Sequence, residues 1–223
     1  MSAHTTPPPL RLTGRSSSHF TRVARIFAHE LDVPLTFVIV HELMALEPGA
    51  FDGNPALKLP TLAIGDSLLF GTENICRKLV ELAGRSGDPR VVLAEHVTAD
   101  LSRSAQELVW HAMAAQVQLR VGVDMSKLPA DSLFFLKIRT GMTGALVWLE
   151  EHLGAVVRLL PEARDLSLFE VTLFCLLEHI AFCPTVPLDG LPRLRQFASA
   201  FGQRPSARRT RFHFDPRSQV TLA

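Results

Sequence analysis

The strongest constraint in this sequence is a change of pattern along it: strand-like and helical segments alternate up to Leu82, and beyond Val91 only helical spacing remains. Leu10 to Gly14 is a short strand-like run, three serines follow, and Phe20, Val23, Ala24, Phe27 and Leu31 then recur at helical spacing. Leu31-Asp32-Val33-Pro34 interrupts that helix, and Leu35 to Val40, rich in β-branched and aromatic residues, reads as a second strand. After a segment containing Pro and Gly from Glu47 to Asn54, the runs Thr61 to Ile64 and Ser67 to Phe70 flank Gly65-Asp66, a two-residue hairpin signal. Ile75, Leu79 and Leu82 at i, i+4 and i+7 make a further helix, which Gly84-Arg85-Ser86-Gly87-Asp88-Pro89 ends. The order is therefore βαβ followed by ββα.

In the second part, Ala105, Leu108, Val109, Ala112 and Met113 carry helical periodicity, as do Met142, Leu146, Leu149 and Leu153. Leu168 to Phe182 is apolar almost all round, which suits a helix surrounded by others, and Pro184 and Pro187 end it. Asp165-Leu166-Ser167-Leu168-Phe169-Glu170-Val171 at its start has the spacing of a capping box, Ser167 with Glu170, and of a staple between Leu166 and Val171.

With 47% hydrophobic and 20% charged residues the chain can bury a substantial core, which excludes disorder over most of its length. A net charge of +1 sets up no global field for nucleic acid or an anionic membrane, and neither is expected as a partner. The basic end, with Arg204, Arg208, Arg209, Arg211 and Arg217, reads as a solvated tail. Leu166 to Cys183 carries Glu170, Glu178 and His179 and is too short for a span of about 20 residues. The start, MSAHTTPPPL, lacks the basic and apolar regions of a secretory signal, so a cytoplasmic location is the expectation.

Cys76, Cys175 and Cys183 form an odd set without CxxC spacing, which argues for reduced thiols. Cys175, His179 and Cys183 share a helix face, but with apolar surroundings and no fourth ligand they are expected to be buried structural residues, and no metal site is expected. Tyrosine is absent, so no mechanism needing a phenolic hydroxyl can operate within the chain.

Several short segments, in order, resemble the glutathione S-transferase superfamily. Gly14-Arg15-Ser16-Ser17-Ser18-His19-Phe20, with Arg25 after it, is similar to the family's active-site turn and first helix, with His19 where proline is common. Asn54-Pro55-Ala56-Leu57-Lys58-Leu59-Pro60-Thr61-Leu62 resembles the family's Asn-Pro-x-x-x-Val-Pro-x-Leu segment, whose second proline follows a cis peptide bond. Thr72-Glu73-Asn74-Ile75 resembles its Glu-Ser-x-x-Ile segment, with asparagine in place of serine. Similarity to bacterial members continues through Gly144 to Glu150 and Arg204-Pro205-Ser206, so it runs from about Leu10 to about Ser206.

The resemblance implies an α+β N-terminal domain of thioredoxin type (βαβ-ββα) followed by an all-α helical bundle domain. The expected organisation is a tail over 1–9, a glutathione-binding domain over 10–84, a linker over 85–94, a helical domain over 95–203 and a tail over 204–223. It implies glutathione as ligand and substrate, with Leu59 and Pro60 meeting its cysteinyl backbone as a short added strand. Glu73 and Asn74 would hold its γ-glutamyl end at a helix N-terminus, and Lys58 its glycyl carboxylate. The implied reaction is transfer of glutathione to a small hydrophobic electrophile, by a homodimer. With no tyrosine, and no cysteine near the first turn, the residue beside the sulfur would be a serine: Ser18 by its distance from Phe20 and Arg25, or Ser16 or Ser17 under a small shift of register. One of these serines is also expected to cap the first helix. A noncatalytic relative using the same fold for binding is the alternative.

Overall fold

The computed structural model describes residues 10–216, so the expected tail over 1–9 and Arg217 lie outside the described residues. The chain divides into two compact units, one comprising the described residues through Ser86 together with those from Thr210 onward, the other Gly87–Arg209.

The first unit is built on a four-stranded sheet of order β2-β1-β3-β4. Strand β1 (Leu10–Gly14) pairs in parallel with β2 (Thr36–Ile39) and antiparallel with β3 (Thr61–Ile64), which pairs antiparallel with β4 (Ser67–Phe70). The β3–β4 turn falls on Gly65-Asp66, and Gly65 has φ 55°, a left-handed value that glycine adopts without steric penalty. Helix α1 (His19–Glu30) crosses from β1 to β2, and α2 (Thr72–Leu82) follows β4 and packs against α1. Their apolar faces, with Val23, Ile26 and Phe27 of α1 and Ile75 and Leu79 of α2, are fully buried, as are Leu12 and Leu62 of the sheet.

The end of α1 shows how local chemistry shapes this unit. Asp32 takes the left-handed conformation, φ 51°, and the Val33 N–H donates to the Ala28 carbonyl at 2.9 Å while the Asp32 N–H points to the His29 carbonyl at 3.5 Å. This is a Schellman-type stop, and Pro34 prevents the helix from resuming.

The second unit is helical. Helix α3 (Asp100–Gln118) runs into a π-helical turn, Leu119–Met125, and packs against α4 (Leu133–Leu159) and α5 (Leu168–Phe182). Helix α6 (Pro192–Phe201) packs on α4 and α5, and the short α7 (Pro205–Arg209) follows. In α5 eleven of fifteen residues are buried, which is why its sequence shows no polar face. Gly122 in the π-helical turn lets Phe135 approach: a Cβ there would lie 2.4 Å from the Phe135 ring. Among the described residues no helix is long and apolar enough to cross a membrane.

Three expectations about local structure change. The 85–94 segment holds β5 (Val91–Val92), buried and paired in parallel with β6 (Leu166–Ser167). The capping box at α5 does not form: Ser167 makes no side-chain cap bond, and both Glu170 oxygens accept from Arg164, each at 2.7 Å. For the Glu170 carboxylate, a bidentate charged pair that is largely buried outcompetes the single bond it would make to the Ser167 N–H. Residues 204–210 of the expected tail are folded: Ser206, Ala207 and Thr210 are buried, and Arg204 Nη2 donates to the Asp165 carbonyl at 2.6 Å while stacking on Phe201. Arg208, Arg209 and Arg211 are exposed.

Candidate functional site

The strand register brings three loop segments to one end of the sheet. Thr13 lies opposite Thr61, and Thr61 opposite Phe70. Because β1 ends where β3 begins and β4 ends, the turn after Gly14, the Leu59-Pro60 bond and the entrance of α2 at Gly71 all leave the sheet from the same end. Thr72 Oγ1 donates to the Phe20 carbonyl at 3.5 Å, which ties the α2 entrance to the first turn of α1.

In the turn, the Ser18 N–H donates to the Arg15 carbonyl at 3.1 Å, and Ser18 caps α1 by accepting from the Thr21 N–H at 3.2 Å. An N-cap serine uses a lone pair in this way and keeps its O–H proton to donate elsewhere. Ser16 is buried and Ser17 half-buried. Gly14 is needed where β1 meets α1, since a Cβ would sit 2.4 Å from Thr21 Cγ2. His19 is buried with its ring 4.7 Å from that of Phe20, so it replaces proline as a packing residue.

The Leu59-Pro60 peptide is cis, and the loop before it is held from inside. The buried Asn54 donates from Nδ2 to the Lys58 carbonyl at 2.8 Å and accepts at Oδ1 from the Ala56 N–H at 3.0 Å. Asp52 accepts from Arg11 at 2.6 Å and from the Thr13 hydroxyl at 3.0 Å, anchoring the same loop to β1. The Leu59 N–H and carbonyl make no hydrogen bond among the described residues. Pro60 is buried, Leu59 half-buried and Lys58 exposed. Asn54→Ala removes two part-buried hydrogen bonds that hold the loop and is expected to destabilise by roughly 1–3 kcal/mol. Chemical denaturation checks this; no measurable change would mean that the Asp52 contacts alone hold the loop.

At the α2 entrance Gly71 has φ 87° and supplies no capping side chain. Glu73 in the first turn pairs with Arg77 one turn on. Asn74 turns back, donating from Nδ2 to the Phe70 carbonyl at 3.1 Å. A ligand ammonium would therefore share Glu73 with Arg77, and Asn74 acts on the backbone at the end of β4. Arg77 was not singled out from the sequence; its i, i+4 spacing from Glu73 is the signal that marks it.

The other residue missed is Asp215. Its carboxylate accepts from the Ser16 N–H at 2.9 Å, across 199 positions of sequence. Burial pushes the Arg25 guanidinium below its ordinary range, while the nearby Asp215 acts against that shift and Arg22 adds to it.

Cys175, His179 and Cys183 are buried and unconnected by disulfides, and the described residues contain no group of three or more His, Cys, Asp or Glu arranged to hold a metal. Gln116 engages this face instead, with Nε2 3.0 Å from His179 Nδ1 and donating to the Cys183 carbonyl at 2.8 Å. Burial pushes the Cys183 thiol up, with Arg120 opposing and Asp124 reinforcing the shift. Each unit carries one cavity among those described. One of about 380 Å³ is lined by Arg25, Asp32, Pro34 and Phe37, and one of about 240 Å³ in the helical unit by His96, Thr98, Ser102 and Leu160.

Residues 12–87 match the family of the glutathione S-transferase N-terminal domain. The chain is similar in fold to a glutathione S-transferase from Methylobacillus flagellatus KT solved with glutathione bound, at 21% identity, covering 92% of this chain and 100% of that one with a TM-score of 0.74. A glutathione transferase family member from Pseudomonas fluorescens Pf-5, also with bound glutathione, is 19% identical over 92% of this chain and 99% of its own, TM-score 0.76. A glutathione S-transferase from Methylobacterium radiotolerans JCM 2831, in complex with glutathione sulfonate, is 17% identical over 95% and 99%, TM-score 0.75. No curated protein matches the sequence.

Proposed function

We propose that this chain, whose residues 12–87 match the glutathione S-transferase N-terminal domain and whose fold is similar to that of glutathione transferases, binds glutathione at the end of the sheet carrying Ser18, Leu59-Pro60 and Glu73 and transfers it to a small hydrophobic electrophile. The observation that supports this most is the register that sends all three segments off the same end of the sheet, with the Leu59 N–H and carbonyl left unused beside it. A short extended peptide added to a sheet edge needs that pair of backbone groups.

In this reading glutathione lies with its cysteinyl backbone on Leu59 and its γ-glutamyl end at the α2 entrance. Glu73 takes the ammonium, and the unpaired first-turn N–H groups take the carboxylate. Asn74 and Pro60 shape the two ends of the groove, and the exposed Lys58 meets the glycyl carboxylate. Ser18 donates its O–H to the sulfur at the N-terminus of α1, where a thiolate is favoured over a thiol. Ser17 is the second choice; the buried Ser16 is the third. The thiolate then attacks the electrophile, forming a carbon–sulfur bond as the leaving group departs or the acceptor takes a proton. The working unit is a homodimer in the cytoplasm, which light scattering tests for assembly.

Calorimetric titration of the wild-type chain with glutathione, followed by conjugation assays over a panel of electrophiles, tests the proposal. Saturable binding with turnover is expected. Absence of binding would overturn it, and binding with no turnover across the panel would leave a noncatalytic glutathione-binding protein.

A further inference from the structure

The segment Thr210–Pro216 follows the helical unit yet belongs to the first unit, and three of its side chains are engaged there. Thr210 is fully buried, and its Oγ1 accepts from Arg22 Nε at 3.3 Å. Phe212 lies under the Arg22 guanidinium, 4.3 Å from ring centroid to Arg22 Cζ. The Asp215 side chain is only 2% exposed, with Oδ2 on the Ser16 N–H at 2.9 Å and Oδ1 3.5 Å from His213 Nε2. A carboxylate is not buried without compensation, and here the compensation comes from an amide of the serine turn and from the neighbouring cations.

Ser16 stands two residues before the Ser18 cap, inside the turn closed by the bond from the Ser18 N–H to the Arg15 carbonyl. Fixing the Ser16 amide therefore fixes the direction in which the chain enters α1, and with it the place of the Ser18 hydroxyl. Arg22, which holds Thr210 and Phe212, lies one turn along α1 from Ser18, so the segment is fastened to the face that begins at the cap.

We propose that residues 210–216 form a C-terminal strap in which Asp215 is a positioning residue: its carboxylate holds the serine turn through the Ser16 amide and so sets the site presented by Ser18. The consequence for glutathione rests on the function proposed above; the hold on the turn does not. The chain's last described segment thereby completes a site whose other parts all come from its first third.

The test uses full-length wild type, Asp215→Ala and Asp215→Asn, with hydrogen exchange over residues 10–22 and calorimetry with glutathione. In Asp215→Ala, exchange at residues 15–18 is expected to rise roughly 10-fold and the glutathione Kd to rise by a similar factor, since a charge-assisted bond is lost. Asp215→Asn keeps an oxygen acceptor at the same place and should restore most of both. A chain merely destabilised by a surface change would show neither the local exchange pattern nor the rescue. If Asp215→Ala does not fold, Asp215→Glu displaces the carboxylate by one methylene and carries the same expectation. Unchanged exchange at residues 15–18 would overturn the strap, and faster exchange with an unchanged Kd would overturn the positioning role. If wild type binds no glutathione, the functional proposal fails by itself, and the exchange comparison still decides whether the strap holds the turn.

Discussion

Ser18→Gly is expected to slow glutathione conjugation about 100-fold while leaving glutathione affinity within about threefold, the size of loss found when one positioned donor to a developing anion is removed. Glycine is chosen because Ser18 caps α1 through the Thr21 N–H. Ser→Ala at such a position removes about 1 kcal/mol of stability, whereas glycine loses only a few tenths. A fall in rate in Ser18→Gly with an unchanged melting temperature therefore isolates the hydroxyl's chemistry from its structural duty. The sign of the companion effect is fixed: without the O–H donor the thiolate loses stabilisation, so the pKa of bound glutathione rises and the rate profile moves to higher pH. Wild-type rates in Ser18→Gly would leave Ser18 as a cap only, and Ser17→Ala would be the next measurement.

Phe174→Ala should produce the largest loss of stability, about 3–5 kcal/mol. Phe174 is fully buried in α5 and stacks on Phe201 of α6, with ring centroids 4.6 Å apart. Neighbouring α5 residues, Leu173, Cys175 and Leu176, are also fully buried, so the surroundings are already packed and collapse into the cavity is restricted. Phe174→Leu keeps much of the volume and should lose about half as much. Because the chain has two compact units, the change is best read by hydrogen exchange over α5 and α6 along with denaturant unfolding. A loss below about 1 kcal/mol would show that the α5–α6 contact relaxes freely and is not central to the helical unit.

The elements that could be read in advance are those whose signals are local. Gly65-Asp66 closes a hairpin because the turn needs a left-handed φ at that residue, and the Leu31-to-Pro34 stop acts through bonds spanning five residues. Helix α5 was visible because a helix buried on all sides has no polar stripe to keep. The capping box at its start had the right spacing and still failed: Ser167 makes no side-chain cap bond, and the Glu170 carboxylate is taken by Arg164 with two charged bonds. No pattern in a seven-residue window reports that competitor's advantage. The segment from 204 misled for a similar reason: its arginines look like a solvated run, but Arg204 is consumed by the Asp165 carbonyl and the Phe201 ring.

For the candidate site the division is sharper. The short segments bearing serine, leucyl-proline and glutamate stand out in the sequence through their resemblance, in order, to segments of the glutathione S-transferase superfamily, and each is shaped by its own turn, cap or proline. That they leave one end of the sheet together follows from antiparallel pairing between residues 48 positions apart, Thr13 with Thr61. That Glu73 is shared with Arg77, and that Asp215 reaches the Ser16 amide, emerged only once the chain had folded. Periodicity and turn chemistry act over a few residues and are written into the sequence; a buried carboxylate chooses its partner from whatever distant segment folding brings within about 3 Å, and that choice is made by the packing of the whole unit.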